Sequence, residues 1–196
     1  MLTDEKQFEN KQTFLKLLAK LNIDLTELIE FFNKIDYFHK PMYPTGEHAY
    51  AGSLCEHALD CHYELSMLCN AYAPGKYTEE DIIKVALFKD IYRAILYEPY
   101  TRKQIVDGTW QDVMAFRQLE ERPVYGDMGF SSYMIAKNFV SFTDEQIEAI
   151  CHHNLGMENG FKSRDIYGVM QTYPLVVLTC MADFAALYLQ GLAPNT

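Results

Sequence analysis

The sequence predicts an all-α fold, a helical bundle, and three observations carry that prediction. Apolar residues recur at three- and four-residue spacing through most of the chain. Helix-start signals stand ahead of these stretches: Ser53 with Glu56, Thr78 with Asp81, and Thr143-Asp144-Glu145-Gln146. No strand-rich block, internal repeat or linker interrupts the pattern, so residues 1–196 are read as one domain, with N-terminal helices over 1–40 and a core over 46–190.

The first helix is expected over about 4–21, where Phe8, Phe14, Leu15, Leu17, Leu18 and Leu21 form a stripe. A second covers 25–35, with Leu25, Leu28, Ile29, Phe32 and Ile35 on one side. Pro41, Pro44 and Gly46 then mark a loop. Ser53 and Glu56 make a capping box for a helix over 53–72 whose stripe runs Leu54, Ala58, Cys61, Leu65, Leu68 and Tyr72. Pro74 and Gly75 break the chain before a helix over 79–96. Residues 97–130 are interrupted by Pro99, Gly108, Pro123, Gly126 and Gly129, with a helix over 110–120. Further helices fall at 130–140, from Thr143 to near His153, and from Tyr173 to Leu189. The Gly108-Thr109-Trp110 turn and its lone tryptophan read as core or lid packing, and Lys162-Ser163-Arg164 as solvated loop charge.

Composition sets the outer limits. With 49% hydrophobic and 14% aromatic residues the chain can bury a sizeable core. Its net charge of −10 repels phosphate backbones, which argues against non-specific binding to nucleic acid or to anionic membranes. Five cysteines (Cys55, Cys61, Cys69, Cys151 and Cys180) include no Cys-x-x-Cys pair and read as reduced, packed thiols. The polar N-terminus has no apolar signal core, and the apolar stretch over 174–189 is short for a bilayer and holds an aspartate. A cytoplasmic location is expected.

The chemistry starts from charges on core faces. Pro174 to Leu189 is apolar on nearly every face, and Asp183 is its only charged residue. An unpaired buried carboxylate costs several kcal/mol, so Asp183 calls for a cation, a metal or several donors. The plain alternatives are a polar stitch to another helix or a chance exposed position. In the 79–96 helix, Lys89 falls inside the stripe of Ile82, Val85, Ala86, Tyr92 and Leu96, with Asp90 beside it. A lone lysine there can snorkel to solvent; two acids and one lysine on core faces suggest mutual compensation. His57, three residues after Leu54 and four before Cys61, lies at the edge of the inner stripe and by itself reads as a packed core residue.

The order His57, Lys89-Asp90, His152-His153, Asp183 resembles the HD superfamily of metal-dependent phosphohydrolases. Gly52-Ser53-Leu54-Cys55-Glu56-His57 is similar to the approach to that family's first ligand helix, and Val85 to Asp90 to the apolar run into its His-Asp doublet. The stretch from Thr143 to His153 resembles the later histidine-bearing helix, and Ala182-Asp183 the final ligand. The likeness covers roughly 46–190. It implies an HD-domain-like helical bundle with a metal site of His57, Asp90 and Asp183, and with Asp90, His152 and His153 as candidate catalytic groups. The metal in such a site polarises a phosphoryl group and lowers the pKa of an attacking water.

The departures bear on function. Lys89 stands where the family has the histidine of His-Asp, removing a ligand and adding a repelling charge. Tyr125 and Cys180 fall where relatives carry further histidines. The expected function is therefore a degenerate, metal-free pocket, not an enzyme, that binds a nucleotide or other phosphorylated small molecule through Lys89, Arg93, His152 and His153. One alternative is an active phosphohydrolase with an altered divalent site for Mn, Mg, Ni or Fe. Another is a structural or interaction protein on the same scaffold. Self-association into a homo-oligomer is compatible with each.

Overall fold

The computed structural model describes residues 2–121, 127–154 and 166–189. Helix α1 (Asp4–Leu18) begins at Thr3, whose Oγ1 accepts from the Lys6 amide, and α2 (Thr26–Lys34) follows. Asp36, at φ 55°, turns the chain into a single 3₁₀ turn over Tyr37–His39. Phe14, Phe32, Tyr37 and Phe38 interlock there, with centroids of Phe14 and Phe32 at 5.5 Å and of Phe32 and Tyr37 at 4.8 Å. This aromatic knot ties the N-terminal helices to the core.

The long α3 (Ser53–Tyr72) is the centre of the molecule, packed against α9 (Pro174–Tyr188) and α4 (Glu79–Phe88). Its expected capping box does not form. The N-cap is Gly52 at φ 86°, and the Ser53 hydroxyl instead joins the preceding loop, donating to the His48 or Tyr50 carbonyl and accepting from the Met42 amide. Both expected caps further on are present. Thr78 and Asp81 close a box on α4, and Thr143 and Gln146 close one on α7 (Asp144–His152).

The helix expected over 79–96 is broken. The backbone passes from the α4 pattern into i→i+3 bonds, Ile91 to Phe88 and Arg93 to Asp90, before the four-residue α5 (Arg93–Leu96). Residues 89–93 are all buried through this tighter turn, continuing the buried run that begins at Val85 in α4.

The all-α expectation is overturned by a two-stranded antiparallel sheet. Strand β1 (Tyr97–Val106) pairs with β2 (Thr109–Gln118) in register from Tyr97↔Gln118 to Val106↔Thr109, where a helix was expected over 110–120. The cause lies in Asp107-Gly108: both take positive φ, 50° and 78°, as a two-residue hairpin turn requires. Trp110 lies on this hairpin, 70% exposed, and is neither core nor lid packing. Helix α6 (Met128–Ala136) then packs on α7, and α8 (Ile166–Thr172), not expected from the sequence, leads into α9. Tyr125 and Lys162-Ser163-Arg164 lie outside the described residues.

Among the described residues, no single helix is long and apolar enough to cross a membrane. The five cysteines are free thiols, all buried except the half-buried Cys151.

Candidate functional site

Three elements aim polar groups at one point inside the core. Helix α3 supplies His57, the turn after α4 supplies Lys89 and Asp90, and α9 supplies Asp183; each is at most 6% exposed. The Lys89 ammonium donates to Asp90 Oδ2 and Asp183 Oδ1, and its Nζ lies 3.0 Å from His57 Nε2. His57 Nε2 is also 2.9 Å from Asp183 Oδ1. An ammonium has three N–H groups, and these three acceptors use all of them. His57 thereby presents a lone pair at Nε2 and keeps its proton at Nδ1. Acceptor atoms that would repel one another are drawn together by the cation between them, as in a metal's ligand shell.

Asp90 bridges outward from this point. Its Oδ1 accepts from Arg93 Nε at 2.7 Å and lies 3.3 Å from His153 Nε2. His153 is fixed through Nδ1, 2.8 Å from the Ile150 carbonyl, and Arg93 stacks on Tyr43 with 4.7 Å from guanidinium carbon to ring centroid. Among the described residues, Lys89 and Arg93 match Asp90 and Asp183 in charge.

The titration tendencies agree with that balance. Burial by itself pushes the Lys89 ammonium down, but Asp183 and Asp90 together outweigh it and hold it above the ordinary lysine range. For Asp90, burial pushes upward and is overcome by Lys89, then His153 and Arg93, leaving the carboxyl well below the usual range. Asp183 is held below the usual carboxylate range against burial, chiefly by Lys89. Burial and then the Lys89 charge lower His57, keeping the imidazole neutral.

Of the two adjacent histidines, only His153 joins the cluster. His152 faces outward, 3.1 Å from Glu148, so its candidate place in the pocket is not realised. Cys180, on α9, meets the C-terminal end of α7, its thiol donating to the His152 carbonyl at 3.3 Å. Two participants escaped the sequence reading. Cys61, taken as plain core, lies one turn after His57 with its sulfur 3.3 Å from Nε2, a contact that i,i+4 spacing could have flagged. Tyr43 comes from the proline-rich loop, where nothing local marks it.

Two buried groupings, His57/Cys61/Asp183 and Asp90/His153/Asp183, have donor types and spacing that could hold a metal ion. The ammonium decides whether they do. Lys89 Nζ occupies the point toward which His57, Asp90 and Asp183 converge, and a divalent ion cannot share it. With Lys89 inward, His57, Asp90 and Asp183 do not together fit a metal.

A concavity of about 240 Å³ adjoins the cluster at His57, with His48, Tyr50, Glu56 and Asp60 in its wall. Burial, followed by the nearby Glu56 and Glu64, pushes the Asp60 carboxyl up to about 7. Compared with family models, curated proteins and solved structures, the chain matches none.

Proposed function

We propose that this protein is a degenerate HD-type module in which the Lys89 ammonium stands in for the metal ion, and that it binds a ligand without hydrolysing it. The observation that carries this reading is the contact of one ammonium with His57, Asp90 and Asp183 together. A fixed cation there pairs the acids, yet it has no open coordination position to polarise a phosphoryl oxygen or to acidify a water. The ligand is a nucleotide or other phosphorylated small molecule, the class the sequence resemblance implies. Glu56 and Asp60 repel an anion at the concavity beside His57, so the phosphate contacts fall on the side of Arg93 and His153.

The second reading, a hydrolase with an altered metal site, is favoured by the spacing of Asp90, His153 and Asp183 and requires the Lys89 side chain to leave. Manganese titration by calorimetry, with anomalous diffraction from manganese-soaked crystals, separates the two. The parent is expected to bind no ion at the cluster. Lys89→His, which supplies a neutral nitrogen and removes the repelling charge, is expected to gain manganese affinity by at least about tenfold. A fully occupied ion on His57, Asp90 and Asp183 in the parent would rule out the metal-free reading and leave the hydrolase standing.

A further inference from the structure

The β1–β2 hairpin stands off the helical body. It touches α5 at its root, and only Tyr97, Ala115 and Phe116 of its strand residues are buried. Residues directly opposed across antiparallel strands share a face, so the register sorts the side chains into two surfaces. One surface closes on itself: Arg117 Nε donates to Glu98 at 2.7 Å, and Arg102 donates to Gln104 at 3.0 Å. The other carries the opposed pairs Thr101/Met114, Lys103/Asp112 and Ile105/Trp110.

That second surface is unfinished. Ile105, Trp110 and Met114 are 56%, 70% and 60% exposed, and an exposed apolar patch on a two-stranded ribbon is a mark of interaction. Between these apolar groups, Lys103 faces Asp112, yet among the described residues no ion pair closes between them. Each is left with its charge to offer to a partner.

We propose that this face docks a second copy of the chain, hairpin on hairpin, about a two-fold axis running along the strands. That axis lays Ile105 on the partner's Trp110, Thr101 on the partner's Met114, and Lys103 on the partner's Asp112. An axis across the strands, centred on the same row, stacks like charge on like charge and is disfavoured. The patch is therefore complementary to itself in one arrangement. The hairpin can also approach a copy of itself without net charge repulsion. Glu98, Asp107 and Asp112 offset Arg102, Lys103 and Arg117, so it carries no net charge while the whole chain carries −10. This inference is independent of the function proposed for the buried cluster.

The test is sedimentation velocity on the full chain from roughly 5 to 500 µM, with the emission of Trp110, the only tryptophan, followed over the same range. A monomer–dimer equilibrium on the order of micromolar is expected, since the contact is smaller than a standard interface, with emission moving to the blue as Trp110 is covered. Trp110→Glu is expected to weaken the dimer at least about tenfold. Lys103→Asp and Asp112→Lys should each weaken self-association, and an equimolar mixture of the two should restore it, because opposite charges then meet in the mixed dimer. Restoration also shows that both variants are folded. A parent that stays monomeric throughout, a dimer indifferent to Trp110→Glu, or a mixture that fails to re-associate while each variant keeps the parent's circular dichroism would overturn the proposal.

Discussion

Lys89 holds a full charge in the core, 1% exposed, because two carboxylates meet it there. The arrangement is a structural commitment, since removing one partner of a buried ion pair strands the other. Lys89→Met keeps the volume and removes the charge, so it is expected to destabilise the protein by about 3–5 kcal/mol at neutral pH. The pH dependence has a definite sign. The folded carboxyls of Asp90 and Asp183 lie below the ordinary value of 3.8, so their stabilisation is complete above that value and is lost as pH falls through the folded ones. Lys89 is raised above 10.5, so its contribution persists through neutral pH and is lost only under strongly alkaline conditions. Urea unfolding of parent and Lys89→Met at pH 7 and pH 3 should show the gap narrowing in acid. An equal gap at both values would mean that Lys89 acts through packing alone. The four side chains were legible in the sequence, because a charge inside an apolar helical stripe has few ways to be satisfied. Which of His152 and His153 turns inward was not legible, since adjacent residues on a helix end differ only in how the helix is rotated against its neighbours.

At the scale of elements, the closest approach among the described glycines is between α6 and α7. A Cβ on Gly129 would fall on the backbone oxygens of Ile150 and Cys151, which form the last turn of the helix that carries His153. Backbone cannot yield as a side chain can. Gly129→Ala is therefore expected to cost roughly 3 kcal/mol or more, at or above the upper end of ordinary overpacking. It should also shift His153, read as a change in that residue's imidazole resonances by NMR, while Gly75→Ala at an open turn leaves them in place. Unchanged resonances in Gly129→Ala would show that α7 moves independently of α6. Helix spans and the caps at Thr78 and Thr143 were readable because periodicity and capping are local. The break after Phe88 was not: Lys89-Asp90-Ile91 reads as a continuing helix, with no glycine or proline between Val85 and Leu96 to mark the turn.

For the whole molecule, the hairpin is an appendage whose strands pair mostly with each other. Tyr100 and Ala115 lie opposite one another, so joining them through an Asn-Gly turn removes the distal ribbon without disturbing the root. The shortened protein is expected to melt within about 4 °C of the parent, equivalent to less than about 1 kcal/mol, and to remain monomeric where the parent associates. A large loss of stability would make the hairpin part of the folding unit. The sequence by itself determined most of the helical spans, the caps at Thr78 and Thr143, the acidic charge, and the polar residues set into apolar stripes, because these are written in composition or in spacing over a few residues. Tertiary structure decided that 97–118 is a hairpin and not an interrupted helix, that the Lys89 ammonium lies between His57, Asp90 and Asp183, and that His153 faces inward. These depend on groups far apart in the chain: cross-strand pairing closed by Asp107-Gly108, and acids 93 positions apart competing for one ammonium, between Asp90 and Asp183.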